Sequence, residues 1–398
     1  MAKDFSAPSG WDRSGLPGWA YFSDEFFELE KECLFRTHWQ IVCHVSELPD
    51  QGSYVTIDIA HERGVVVRGN DDVIRAFHNL CRHRGSRVVA DARGRCNKSM
   101  ICPYHGWAYN LDGSLRGIAR QRTFPDIDKS QFGLKPLEME IWSGFVFVRF
   151  QPGPQPSIAA LMARHTAEIA PYRTQAMVTD ETVSFAERLP VNWKAMRDVD
   201  NEGYHVRQAH PALMDLYGQK YHDEPYVEGT SRSVGTFNDG PSRLPTVRAY
   251  RALLPEATHL PEDQRQRWLY VGIFPNIVFG FYPDSAIWYQ EIPISATETI
   301  QRGAVLRYRG ESRELRAARY LSGRIDRITG AEDQMLSIWA AEATRSSAYD
   351  GIILSDLEYG LRTHHDALRD LMPVLDAPEE PAPGAMRAQN AALLEARP

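Results

Sequence analysis

From Ile41 to Phe150 the chain runs in short stretches of alternating or continuous apolar residues, such as SYVTIDI (53–59), GVVVRG (64–69), VIRAFHNL (73–80) and GFVFVRF (144–150). Each is bounded by Gly, Asn or Asp, the pattern of brief strands joined by turns, so this stretch reads as a small all-β unit. Ahead of it, Asp24 to His38 reads as a short helix. Behind it, Gln151-Pro-Gly-Pro-Gln-Pro156 cannot hold regular structure, because proline removes a backbone donor and restricts its neighbour. A domain boundary is expected there. Farther on, helical spacing over 158–169, 312–328, 331–346 and 356–371 mixes with strand-like LYVGIFPNIVFGFY (269–282) and AIWYQEIPI (286–294). The fold class is therefore α+β. The expected layout is an N-terminal arm over 1–40 packed on the second domain, an all-β domain over 41–152 and a mixed catalytic domain over 153–398.

Composition narrows the function. With 398 residues and 43% hydrophobic content the chain can bury a large core. No segment approaches the roughly 18 uncharged apolar residues of a membrane span, and the N-terminus has no apolar leader, so no membrane association and a cytoplasmic location are expected. A net charge of -7 argues against nucleic-acid binding, despite the local basic run Arg82, Arg84, Arg87, Arg93, Arg95 and Lys98. Five cysteines without an export signal point away from a disulfide framework and toward metal binding for those that cluster.

Three cysteines do cluster, at Cys81, Cys96 and Cys102, and two of them are paired with histidines. Cys81-Arg-His83 is followed after 18 intervening residues by Cys102-Pro-Tyr-His105. Two thiolates can hold one iron of a [2Fe-2S] cluster while two imidazoles hold the other, although two cysteines and two histidines also suit a single tetrahedral zinc. Cys33, Cys43 and Cys96 fall outside the pattern and are expected only to pack. In the second half, Asn192-Trp-Lys, then Glu202-Gly-Tyr-His205 and His210-Pro place two histidines five residues apart. On an ideal helix those rings point about 140° apart, so a shared metal requires the helix to distort or end between them, and Pro211 favours an ending.

Cys-x-His followed by Cys-x-x-His, with Pro103 and Gly106-Trp107, resembles the Rieske family, and the 192–210 run resembles the catalytic segment of Rieske non-haem iron oxygenases. The loop between the two cluster motifs is one residue longer than the family's, around Arg93-Gly94, and Val199 stands where an Asn is expected near the iron, preceded by Asp198. The resemblance implies a [2Fe-2S] Rieske cluster on Cys81, His83, Cys102 and His105. It also implies a mononuclear Fe(II) on His205, His210 and an acid from a distant helix, for which Asp333 in Glu332-Asp333 fits. Asp326 and Glu342 stay open as alternatives. Glu202, read as the i, i+3 neighbour of His205 on one helix, is assigned to orienting His205 and carrying electrons between centres, with one carboxylate oxygen left for a Rieske histidine of a neighbouring subunit. The fold implied is a Rieske domain followed by a helix-grip catalytic domain in a homotrimer. O2 is the implied co-substrate, with electrons from NAD(P)H through a separate reductase, alone or with a ferredoxin, since no dinucleotide fingerprint is present.

The substrate is a small molecule. Two features favour oxidative N-demethylation of a quaternary ammonium or betaine compound: Glu202 stands where aromatic-ring dioxygenases usually have Asp and resembles the choline- or carnitine-type oxygenases there, and Trp268, Tyr270, Phe274, Phe279, Phe281, Tyr282, Trp288 and Tyr289 on the floor strands can hold an alkylammonium by cation-π attraction. Aromatic-ring dihydroxylation and aryl O-demethylation are the alternatives, and a Rieske electron carrier is the non-enzyme reading.

Overall fold

The computed structural model describes residues 7–397; the first six residues of the N-terminal arm and Pro398 lie outside the described residues. The chain divides into two compact units, one of Phe35–Ala160 and one formed by the flanking segments before and after it.

Helix α1 (Asp24–Glu30) begins where the Ser23 side chain accepts from the Phe26 N–H, an N-cap that satisfies one of the otherwise unpaired first-turn donors. The helical run is shorter than the sequence pattern predicts: after Glu30 the backbone widens into a π-turn over Lys31–Phe35.

The Phe35–Ala160 unit is all-β. Strands β1 (Gln40–His44), β2 (Ser53–Ile59), β3 (Glu62–Arg68), β4 (Ile74–His78), β5 (Arg93–Arg95), β6 (Ser99–Ile101), β7 (Ala108–Asn110), β8 (Leu115–Gly117), β9 (Glu138–Trp142) and β10 (Phe145–Arg149) form three antiparallel sheets. Their orders are β4-β3-β2-β5, β6-β7-β8 and β1-β10-β9. The stretch around Arg93-Gly94, which the sequence presents as loop, is β5, paired to β2 with Tyr54 opposite Gly94. All three of its residues are exposed, which is why no apolar pattern announces it. Cys81 and Cys102 sit in one core cluster with Val65, Met100, Trp107 and Tyr109.

The second unit is built on an antiparallel sheet of β11 (Val178–Thr179), β12 (Phe185–Leu189), β13 (Tyr221–Val227), β14 (Thr230–Thr236), β15 (Arg267–Ile273), β16 (Ile277–Phe281), β17 (Ala286–Ser295) and β18 (Glu298–Arg307). The order is β11-β18-β17-β16-β15-β14-β13, with β12 also on β18. Its helices are α2 (Ile158–Leu161, at the junction), α3 (Ala163–Ile169), α4 (Trp193–Asp200), α5 (Val206–Ala209), α6 (Pro211–Tyr217), α7 (Pro245–Leu253), α8 (Arg313–Ala343), α9 (Tyr359–Leu371) and α10 (Met386–Glu395).

Two helices expected over 312–328 and 331–346 are one 31-residue helix, α8, which starts at a Ser312 N-cap and continues through Gly330. A glycine in a helix interior costs only about 1 kcal/mol. Packing of α8 against α4, α6 and α7 outweighs that. No helix among the described residues is long and apolar enough to cross a membrane.

Candidate metal centres and their relatives

The two Cys/His loops of the β unit repeat one backbone device. In the first, the Cys81 carbonyl accepts from Gly85 N–H and the Cys81 N–H donates to the Ser86 carbonyl; in the second, Cys102 makes the same two bonds with Gly106 and Trp107. Gly85 and Gly106 both have positive φ, +70° and +72°, a conformation that side chains rarely adopt. Each loop thus turns back on its cysteine and lifts the following histidine outward. The cysteines are buried, His83 is half-buried and His105 is exposed. The two imidazoles lie 4.7 Å apart, centroid to centroid, and Trp107 stacks on His83 at 5.2 Å.

Tyr109 sits beneath this pair of loops. Its hydroxyl accepts from the Arg82 N–H at 2.9 Å, which leaves its own proton for Cys81 Sγ at 3.2 Å. A thiolate ligand would accept that bond. Burial pushes the free Cys81 thiol up from its ordinary pKa, so a metal is the natural partner for its ionised form. Sulfur donors inside and imidazoles at the rim match a two-iron cluster held by two cysteines at one end and two histidines at the other. Among the described residues, no group of three or more donors close enough to share one ion includes these four side chains, which disfavours the single zinc.

One such group does exist: His205, His210 and Asp333, each offering one donor atom, all within 4.8 Å of one another. The chain reaches this arrangement by interrupting a helix. Helix α4 is capped by Asn192, whose side chain accepts from the Lys194 N–H, and it ends at Asn201. Trp193 Nε1 and Lys194 Nζ both donate to Glu30 Oε1 on α1, at 3.1 and 2.7 Å, so the Asn-Trp-Lys motif fixes where α4 begins. After a turn, the four-residue α5 lies between His205 and His210. His210 leaves helical geometry at φ -117°, ψ 81°, and α6 restarts at Pro211. The break expected from the five-residue spacing falls at His210 itself, and it lets the two Nε2 atoms face each other at 2.9 Å.

Both Nδ1 atoms are held by carboxylates: His205 by Glu202 Oε1 at 2.5 Å and His210 by Glu332 Oε2 at 2.8 Å. Each Nε2 is therefore left facing inward. Asp333 Oδ1 lies 2.8 Å from His210 Nε2 and 3.4 Å from His205 Nε2, yet as a buried oxygen it has no properly aligned donor. Ligands bound at about 2.1 Å and at right angles are about 3 Å apart, so these three atoms have the spacing of one face of a metal's coordination sphere. Burial opposes charge on His205, but Asp333 and Glu202 outweigh it and push its pKa up to about 10; the same balance with Asp333 and Glu332 raises His210. A cation belongs at this point. Of the alternative acids, Asp326 accepts from Tyr282 elsewhere on α8, and Glu342 is exposed near the C-terminal end of the same helix.

Three further expectations are revised. Glu202 is not on a helix with His205 but in the turn after α4, and its second oxygen is not free: Oε2 accepts backbone N–H groups from Tyr204 and His205. Gly203 makes that turn possible, because a Cβ there would collide with the Tyr221 ring and the Asp223 carboxylate. The aromatic floor is not one wall either. Strand alternation turns Trp268, Tyr270 and Tyr289 toward the helices, whereas Phe279, Phe281 and Trp288 share the opposite face of the sheet. Asp198, beside the variant Val199, accepts from Tyr21 (2.5 Å) and His365 (2.9 Å). Glu332 enters the sequence reading only as Asp333's neighbour; the Glu-Asp pair is the signal, since adjacent helix positions differ by about 100° and can grip one histidine from two sides.

Residues 163–374 match the model of the ring hydroxylating alpha subunit (catalytic domain), and residues 38–129 match the Rieske [2Fe-2S] domain. The chain belongs to the Rieske ring-hydroxylating oxygenase family. Members of this family are Rieske non-haem iron oxygenases, so a [2Fe-2S] cluster and a mononuclear iron are its resident metals, and the donor sets above fit both. The carnitine monooxygenase oxygenase subunit of Escherichia coli (strain K12) is 28% identical over 351 residues, covering 79% of this chain and 92% of that one. The glycine betaine monooxygenase oxygenase subunit of Chromohalobacter salexigens is 36% identical over 217 residues, 54% of this chain and about half (48%) of that one. In fold, the chain is similar to a quaternary ammonium Rieske monooxygenase solved with L-carnitine (TM-score 0.73, 23% identity, 90% of this chain and 95% of that one). It is also similar to naphthalene 1,2-dioxygenase from Rhodococcus sp. bound to indole (TM-score 0.70, 19% identity, 88% and 92%).

Proposed function

We propose that this protein is the terminal oxygenase of a multicomponent system that hydroxylates an N-methyl carbon of a quaternary ammonium compound. One O2 and two electrons, drawn from NAD(P)H by a separate reductase with or without a ferredoxin, give one water and a hydroxymethyl ammonium that releases formaldehyde. The iron held by His205, His210 and Asp333 supplies O2 activation when bound. Glu202 and Glu332 hold the two Nδ1 protons and so fix which ring nitrogen faces inward.

The observation that carries the substrate class is the wall around the triad. Tyr221, Tyr270 and Tyr289 are half-buried, as are Asp200, Asp223 and Asp326, yet burial is the largest influence on every one of their pKa values, all of which are raised. Asp200, hydrogen-bonded by Tyr289, and Asp223, hydrogen-bonded by Tyr221, both lie close enough to His205 to feel its charge, so these side chains stand beside the triad. Tyrosine faces and carboxylates attract an alkylammonium. The relatives named for carnitine and glycine betaine oxidation support the same class.

A homotrimer would bring His105 of one subunit to Glu202 of the next. Because Glu202 already serves His205 and two backbone N–H groups, such a bridge would use one of its remaining lone pairs. Glu202→Ala is then expected to keep the Rieske spectrum while stopping substrate-dependent reoxidation of the reduced cluster; reoxidation at the wild-type rate would remove the bridge. The substrate class is tested by supplying the holoenzyme and a compatible reductase with trimethylammonium compounds and aryl ethers, and measuring formaldehyde against O2 consumed. Equimolar formaldehyde from the ammonium compounds is expected. Ring diols without formaldehyde would assign the protein to aromatic-ring dihydroxylation.

A further inference from the structure

Helix α4 buries two cations and neutralises them differently. Lys194 meets a single carboxylate, Glu30, at 2.7 Å, so its charge is balanced. Arg197, also buried, meets two. Its Nη1 donates to Asp200 Oδ2 at 2.7 Å and lies 3.8 Å from Oε2 of Glu291, which is fully buried on β17. Two carboxylates on one guanidinium leave one negative charge uncompensated in the interior of the domain. The groups that face Glu291 do not redress this. Gln301, opposite it on β18, donates to Glu291 Oε1 at 3.2 Å, and Tyr289, two residues back on β17, donates to Asp200. Arg302 faces the other side of the sheet, where it donates to Gln290. His364 on α9 also feels Arg197, and burial pushes its pKa well below the usual range, so it is neutral.

With Oε1 engaged by Gln301, Oε2 is left buried without a hydrogen-bond donor among the described residues. An ionised carboxylate in that place is costly. A proton on Oε2 removes the excess charge and turns an acceptor that lacks a donor into a donor itself. Burial and the like charge of Asp200 accordingly push the Glu291 pKa up to about 7, against the pull of Arg197 and Gln301. Asp200 is the open end of the trio. Its side chain is 21% exposed and it feels the charges of both Asp333 and His205, whereas Arg197 and Glu291 are sealed in. Measured from the one Nη1 at 2.7 and 3.8 Å, Asp200 Oδ2 and Glu291 Oε2 are no more than 6.5 Å apart. One or two waters span such a gap at about 2.8 Å per hydrogen bond.

We infer that Glu291 holds a proton for the reaction at the triad and passes it to Asp200 beside the Arg197 guanidinium, with Asp200 delivering it to the water that forms. Hydroxylating a C–H bond with O2 and two electrons takes up two protons. The O–O and C–H bonds break, one oxygen enters the C–O–H group, and the other leaves as water with both protons. Glu291 supplies one of them: its O–H bond breaks at Oε2 and an O–H bond forms on Asp200. Arg197 stays charged throughout, since burial opposes its charge but Tyr226, Asp200 and Glu291 hold it. Glu291 touches no substrate and is a positioning residue that acts through Asp200. The inference rests on O2 reduction at the triad but not on the ammonium reading, because ring dihydroxylation takes up two protons as well.

The test is an infrared pH titration of the holoenzyme. The wild type should show a buried carboxylic C=O band with a midpoint at about 7, which Glu291→Gln removes and which Asp200→Asn, by deleting the like charge, moves to lower pH. Glu291→Gln copies the shape of the protonated acid, so a purely structural role would survive it. In single turnover with choline or anisole as the probe, reoxidation of the reduced cluster should slow by at least about tenfold in Glu291→Gln, at unchanged probe affinity. Above the midpoint the wild-type rate should fall by about tenfold per pH unit, and the variant should lose that dependence. The visible Rieske spectrum and the iron content report that each variant is folded and loaded. Absence of a band that Glu291→Gln removes, a midpoint that Asp200→Asn leaves in place, or a Glu291→Gln rate within about twofold of wild type overturns the inference. If neither probe turns over, the band and its shift decide. Turnover of anisole alone would sink the ammonium reading and leave this one standing.

Discussion

Replacing Glu332 with alanine removes the carboxylate that holds His210 Nδ1 at 2.8 Å while leaving all three inward-facing donors in place. His210 is almost wholly buried, with a side chain 1% exposed, whereas that of Glu332 is 27% exposed. A hydrogen bond to a charged group contributes about 1.5–3 kcal/mol, and partial solvent access to Glu332 places this one near the lower end. The expected loss in iron affinity is therefore about tenfold, within the roughly 10–100-fold range of outer ligand partners. Glu332→Gln keeps an acceptor for the Nδ1 proton and should recover most of that loss. The assay is equilibrium competition between the mononuclear site and a calibrated Fe(II) chelator, with the Rieske cluster monitored by its visible spectrum. An affinity for Glu332→Ala within about twofold of wild type would refute the claim that this carboxylate sets the orientation and basicity of His210.

Tyr109→Phe deletes the O–H that points at Cys81 Sγ and should lower the cluster's reduction potential by on the order of 50 mV, because that bond favours the more negative, reduced form; an unchanged potential in protein-film voltammetry would contradict it. Glu30→Ala leaves Lys194 buried without its partner in a site where both side chains are 0% exposed, a loss of about 3–5 kcal/mol measurable by urea unfolding, and a change below about 1 kcal/mol would count against the pair's anchoring role. For Asp326 the folded pKa, about 8, lies above the ordinary 3.8, so the native state holds a proton that the unfolded state gives up between those values. Its contribution to stability is complete below the unfolded pKa and is lost as pH rises through the folded one. The melting temperature of Asp326→Asn relative to wild type should therefore climb as pH rises through this window; a difference that is flat with pH would contradict the assignment.

What can be read from the sequence is what depends on local spacing. Cys81, His83, Cys102 and His105 announce themselves because each loop is a short turn closed on its own cysteine, and the break between His205 and His210 follows from about 100° per residue alone. Asp333 lies far along the chain from both histidines, and no periodicity links them; only the family resemblance singles it out before the fold places it 2.8 Å from His210. Glu202 is legible as the partner of His205 but not as a turn residue, because the turn at Gly203 depends on a close approach of β13 that the sequence does not display. The division of the floor aromatics is legible in principle. Period-two alternation along β15, β16 and β17 separates Tyr270 and Tyr289 from Phe279 and Trp288 without any coordinates. By contrast, the joining of Tyr217, Tyr270, Tyr282 and Asp326 brings together α6, β15, the end of β16 and α8, and that convergence is a tertiary fact.

The most direct test of the two-centre account is metal content per chain in the wild type and in Asp333→Ala. Iron and acid-labile sulfide, measured on anaerobically purified protein, should give about three irons and about two sulfides in the wild type, two irons from the cluster and one from the triad. Asp333→Ala should keep the sulfide and the visible Rieske spectrum, drop to about two irons and lose turnover. A variant that retains the third iron and its activity would show that another acid completes the site. A wild type with a single zinc in place of the cluster would contradict the account at its root.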